Sequence, residues 1–143
     1  NMKIEDIQEL WDQDSQIDET ELAKESVKTP DIYNKYLKIY AQEKMLLTKF
    51  NIEKSKLKKF KWEYYTGKSD PEVYKKTPFD LKILKQDIPV YLEADDELCE
   101  HQMKISYQSE KVAMLEKILK SLETRGFQIK NAIDFERMMG GPI

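Results

Sequence analysis

The sequence predicts a mainly α-helical fold: two long helices packed together, with short helices at the N- and C-terminal ends. Three observations carry that reading. Only four glycines and five prolines interrupt 143 residues, which leaves room for few turns. Apolar residues recur at steps of three and four along two extended stretches, the period of a helix face. A charged fraction of 36% with mean hydropathy -0.73 suits long exposed helices, or a subunit that hides apolar surface in an oligomer. The length is that of one domain, taken as 2–143, with Asn1 before Met2 read as a cloning remnant. No run approaches a membrane span, and no secretory leader pattern is present. The single cysteine, Cys99, excludes an internal disulfide framework and fits a reducing compartment.

Taken in order, 2–14 reads as a short helix, with Ile4, Ile7, Leu10 and Trp11 at helical spacing. Trp11 suits either a packed helix or a docking anchor. A second short helix is expected over 18–27, capped by Asp18 with Glu21 three residues on. Thr29 and Pro30 then read as the N-cap and first position of a long helix over 30–66 that Gly67 ends. Its first half presents Ile32, Tyr33, Tyr36, Leu37 and Tyr40; its second half is basic. Residues 68–90 are the least regular. A short helix over 79–84, or a small β element around 79–92 using Leu81, Ile83, Val90 and Tyr91, are both open, with Pro89 arguing against a central strand. The second long helix spans 95–125, with Leu98, His101, Ile105, Gln108, Val112, Leu115, Leu119 and Leu122 on one seam. Met103, Tyr107, Met114 and Ile118 form a second apolar line, free for another neighbour. Gly126 is expected to end this helix, and a last one covers 128–139 before Gly140 and Gly141.

Charge is segregated. The net charge of -3 hides an acidic N-terminal arm, 2–28, and a basic region over 32–68 with ten lysines against three acids. Between Lys49 and Gly67, six lysines alternate with Phe50, Phe60, Trp62, Tyr64 and Tyr65. Cations that track a phosphate backbone, with aromatic faces for bases, are what single-stranded nucleic-acid binding needs. Trp62 falls on the polar face of the helix, an odd place unless something stacks on it. The candidate DNA-binding set is therefore Lys54, Lys56, Lys58, Lys59, Lys61, Trp62 and Lys68. The plainer alternative is a solvated face with snorkelling lysines, and its functional counterpart is an oligomeric helical scaffold that binds no nucleic acid. In that case the lysines pair with the acidic arm. A membrane-surface role fits poorly, because an acidic chain is repelled by anionic lipid.

Catalytic chemistry is hard to draw. No glycine-rich phosphate loop is present, and one histidine, His101, with one cysteine builds neither a catalytic triad nor a zinc site. The acids Glu93, Asp95, Asp96, Glu97 and Glu100 read first as helix N-terminal residues and only second as a Mg²⁺ site. A non-enzyme without cofactor or metal is the expectation.

With these residues laid out, the chain resembles the UvsY-type recombination mediators of T-even-type bacteriophages. The resemblance runs from Met2-Lys3-Ile4-Glu5-Asp6-Ile7 onward over nearly the whole chain. It is sharpest where the basic run enters Glu63-Tyr64-Tyr65-Thr66-Gly67 and at Thr124-Arg125-Gly126-Phe127-Gln128-Ile129-Lys130. It implies a ring-like homo-oligomer, a hexamer or heptamer, that binds single-stranded DNA in the cytoplasm of the infected host. There it helps the phage recombinase displace the phage single-strand-binding protein. The family's basic motif, a Leu-Lys-x-Arg-Leu pattern, puts its two cationic positions on Lys59 and Lys61. Here the arginine is Lys61 and the flanking leucines are Lys58 and Trp62, so the guanidinium fork is missing. The resemblance also assigns oligomerisation to the C-terminal helices, 95–139, where Val112, Leu115, Ile118, Leu119, Leu122, Phe127 and Ile133 are the expected contacts.

Overall fold

A computed structural model describes residues 2–140; Asn1 and residues 141–143, Gly141 among them, lie outside the described residues. Among the described residues five α-helices follow one another: α1 (Ile4–Asp14), α2 (Leu22–Tyr65), α3 (Pro71–Lys76), α4 (Ile88–Glu93) and α5 (Asp96–Met138). No strand occurs among the described residues. None of the helices is long and apolar enough to cross a membrane, among the described residues. The chain forms two compact units, the first from residues up to Lys44 and from Glu110 on, the second from Met45 to Ser109.

Both long helices exceed their expected bounds, for one reason. The sequence predicts a break at Thr29-Pro30, yet α2 runs through Pro30. Leu22, Glu25, Thr29, Ile32 and Tyr36 follow steps of three and four and are all buried. That continuous buried stripe outweighs the roughly 3 kcal/mol a mid-helix proline costs. Thr29 is accordingly no N-cap; its Oγ1 donates to the Glu25 carbonyl at 2.8 Å. Asp18 does not cap a helix either. Its carboxylate accepts from the Thr20 N–H and hydroxyl, closing a turn ahead of α2. In α5, Gly126 is interior and does not terminate the helix. Arg125 and Ile129 are buried on either side of it, so the stripe again carries the helix through a poor helix former. Gly67 does end α2, at φ 77°, with Lys68 N–H donating to the Glu63 carbonyl at 2.8 Å and Gly67 N–H to Tyr64 at 3.3 Å. Those two bonds satisfy the last carbonyls of the helix.

In the first unit, Ile7 of α1 meets Ile32 and Tyr36 of α2 and Leu115, Ile118, Leu119 and Leu122 of α5. Each such burial contributes about 1.5–3 kcal/mol. Trp11 packs edge-on against Tyr36, with centroids 5.5 Å apart, so it is a core residue. The acidic arm is built into this core. Asp14 is gripped by Lys35 and by the Tyr36 hydroxyl, and Arg125 donates to the Asp14 carbonyl and to Glu25 at 2.6 and 2.7 Å. Burial raises the proton affinity of the Asp14 carboxyl, but the hydrogen bonds from Lys35 and Tyr36 outweigh it and hold Asp14 below its ordinary range. A second buried pair, Lys111 with Glu43 at 2.8 Å, joins α5 to α2.

Candidate nucleic-acid interface

The second half of α2 carries the lysine run, and the second unit holds it on one side. Phe50 and Tyr64 are buried, while Leu57 is half-buried. His101 sits half-buried on α5 with Nε2 2.9 Å from the Phe50 carbonyl, an arrangement in which Nε2 donates. Its ring meets Phe50 edge-on, so it is a packing residue.

The structure separates the candidate lysines into two groups. Lys56, Lys58 and Lys59 are exposed and make no ion pair among the described residues. Lys54 is half-buried and donates to Gln102 of α5. Lys61 turns inward: its side chain is only 14% exposed and lies 3.2 Å from Asp95 and 3.3 Å from Glu97. Burial works against its charge, but the hydrogen bonds to Asp95 and Glu97 outweigh that and raise its pKa above the usual lysine value. Two of the acids at the start of α5, Asp95 and Glu97, are thereby engaged within the chain. Asp95 caps α5, its Oδ1 accepting the Leu98 N–H at 3.0 Å, and its Oδ2 accepts the Tyr65 hydroxyl at 2.7 Å. Burial pushes the Asp95 carboxyl up, yet Tyr65, Leu98 and Lys61 together hold it below its ordinary range.

Around the end of α2, rings replace turns as the organising element. Tyr64 stacks on Tyr74 of α3 at 5.5 Å, and Phe79 lies 5.3 Å from both Tyr64 and Tyr65. The Tyr64 hydroxyl donates to the Thr77 carbonyl at 3.0 Å. These contacts pin residues 77–84 as an irregular segment, so neither the short helix over 79–84 nor the small β element forms. A strand here would have no partner to pair with. Pro89 instead opens α4, where its missing N–H costs nothing. Trp62 is 39% exposed, and Lys68 Nζ sits 4.4 Å from its ring centroid. The Trp62 face, Lys68 and the exposed lysines of α2 are therefore all at the surface of the second unit.

The residues expected at subunit contacts divide as well. Val112, Leu115, Ile118, Leu119 and Leu122 are buried within the chain's own core, which leaves them no surface for another copy. Ile133 is half-buried and Phe127 is 72% exposed. Phe135 and Met138, which the sequence places on the last helix without assigning them a role, are exposed too. Arg125 is a further residue whose place is not visible in sequence. It reads as a cation closing a helix and is in fact a buried anchor.

The chain shares this architecture with proteins already described. A family model for "Recombination, repair and ssDNA binding protein UvsY" matches residues 10–142. The recombination protein uvsY of Enterobacteria phage T4 is 24% identical over 140 residues, spanning 98% of this chain and 99% of that protein. A crystal structure of the bacteriophage T4 recombination mediator protein UvsY, lattice type II, superposes with a TM-score of 0.87 at 25% identity, over 99% of this chain and 100% of that one. The lattice type I structure of the same protein gives 0.83 at 24% identity, over 94% and 98%.

Proposed function

From the premise that this chain belongs to the UvsY family of recombination, repair and single-stranded-DNA-binding proteins, we propose that it is a recombination mediator whose exposed α2 lysines grip the single strand. Copies of the chain assemble into a closed ring of six or seven. The ring works in the cytoplasm of the infected host, carries out no bond chemistry, and helps the phage recombinase take over DNA coated by the phage single-strand-binding protein. The observation that carries the reading is the unpaired, exposed set Lys56, Lys58 and Lys59, with Lys68 and the Trp62 face nearby. Each ammonium releases condensed counterions when it meets a phosphate, so a few per subunit give weak binding that a ring multiplies. Lys61, tied to Asp95 and Glu97, supports the site from within, and Lys54 sits between the two roles. The cationic positions used are then Lys58 and Lys59 rather than the motif pair Lys59 and Lys61.

The T4 relative is described as a recombination mediator, which supports the same assignment here. A fluorescence titration with oligo-dT tests it. Tryptophan emission falls on addition of the strand and recovers as salt is raised. Emission that stays flat at low salt, together with no rise in the anisotropy of a labelled oligo-dT, removes DNA binding and leaves the helical scaffold.

A further inference from the structure

Beside the C-terminal end of α2, within the second unit, lies a cavity of about 890 Å³. Its lining includes the aromatic residues Trp62, Tyr74 and Phe79 and the aliphatic residues Ile83 and Leu92. The volume falls in the range of about 300–1,000 Å³ occupied by small-molecule sites. Its charged lining is Lys68, Lys82 and Lys85 against Asp80 alone. An aromatic, apolar interior takes a flat uncharged ring. A cationic rim takes anions attached to that ring. Together they match one nucleotide unit of an unpaired strand, whose base is flat and whose flanking phosphates are charged.

Two details favour a preformed base site over a collapsible surface dent. First, the walls are fixed. Phe79 is wedged among Tyr64, Tyr65 and Tyr91, with centroids 5.3, 5.3 and 6.1 Å away, and the Tyr74 hydroxyl donates to the Tyr64 carbonyl at 2.8 Å. Second, Lys68 Nζ covers the Trp62 ring at 4.4 Å. An exposed cation–π contact is weaker than a stacked base, so a base displaces Lys68 from the indole and frees its ammonium for phosphate.

We infer that this cavity receives one unstacked base of single-stranded DNA, with Trp62 as its stacking face and Lys68, Lys82 and Lys85 on the flanking phosphates. The inference rests on the reading of the chain as a single-stranded-DNA-binding protein and adds a base-dependent grip to it. The α2 lysines hold any polyanion; the cavity holds only a strand that has bases.

The test compares oligo-dT with a fully abasic oligonucleotide of equal length and charge, both end-labelled, by anisotropy with the unaltered chain. Oligo-dT binds about 5- to 150-fold more tightly, the range that loss of one stacked base corresponds to. Trp62→Ala abolishes most of that preference and Trp62→Phe keeps part of it, with helical far-UV circular dichroism retained in both. Lys82→Ala combined with Lys85→Ala lowers the salt slope for oligo-dT by about 1.4 and leaves the slope for the abasic strand unchanged. Equal affinity for the two strands, with salt-dependent binding preserved, overturns the base site and leaves the DNA-binding reading standing. Failure to bind either strand at low salt overturns both.

Discussion

Lys61 lies inside the lysine run and yet spends its charge within the molecule, on Asp95 and Glu97. Asp95 is buried and has three donors, Lys61, Tyr65 and the Leu98 N–H. Removing one partner of such a group strands the other. Lys61→Ala should therefore cost about 1–3 kcal/mol of stability, measured by urea unfolding, while leaving the salt slope of DNA binding unchanged. A lost phosphate contact would do the reverse. The pH dependence follows from Asp95 and Asp14, both held below the ordinary aspartate value of 3.8. A carboxylate with a depressed folded-state pKa contributes stability above the unfolded value and loses it as pH falls through the lower folded value. The contribution of these two carboxylates should accordingly be lost as pH falls from about 5 through the ordinary aspartate range and below, and Asp95→Asn should flatten that acid limb in unfolding curves collected across pH. The lysine pattern could not separate Lys61 from Lys58. Both lie on one flank of the same helix, and the carboxylate partners of Lys61 are distant in sequence. Arg125 was hidden for a related reason: a buried arginine and a helix-ending arginine look alike until Glu25 and the Asp14 carbonyl are seen against it.

At the scale of elements, the seam Leu98–Ile105–Gln108–Val112–Leu115–Leu119–Leu122 was legible from spacing, and every member named here is buried. The stop signals were not. Pro30 and Gly126 are strong local punctuation, but local propensity is a weak prior against a stripe that keeps burying side chains on both sides. Gly67 differs because its φ of 77° and the two bonds of the helix end require the left-handed region. The two glycines should therefore respond oppositely to alanine. Gly126→Ala, where an added Cβ meets nothing within 4 Å, should stabilise by about 0.5–1 kcal/mol. Gly67→Ala should destabilise by about 1 kcal/mol or more, since a Cβ is strained there whatever the space. Thermal melts of the two variants check both signs. Residues 77–84 resisted reading because their order comes from the rings of Tyr64, Tyr65 and Phe79, contacts with no sequence period.

For the molecule as a whole, a net charge of -3 is compatible with a polyanionic ligand because charge is distributed locally. In the second unit twelve lysines face eleven acids, but Asp95 and Glu97 are turned to Lys61, and the exposed α2 lysines stand clear of them. On the proposed ring, assembly of copies sets the affinity. With the α5 seam buried within the chain, Phe127, Phe135, Met138 and Met139 are the exposed large apolar side chains at the end of α5 among the described residues. Phe127→Asp with Met138→Asp should yield smaller species in sedimentation velocity, with helicity kept and DNA affinity reduced by at least tenfold through lost avidity. Unchanged sedimentation would place the subunit contact elsewhere. The most direct measurement of the lysine grip is the dependence of oligo-dT affinity on salt for the native chain and for Lys56→Ala, Lys58→Ala, Lys59→Ala combined. The triple variant should lower the slope of log K against log salt by about 2 for each engaged subunit, at about 0.7 per lost phosphate contact. Parallel slopes for the two proteins would contradict it.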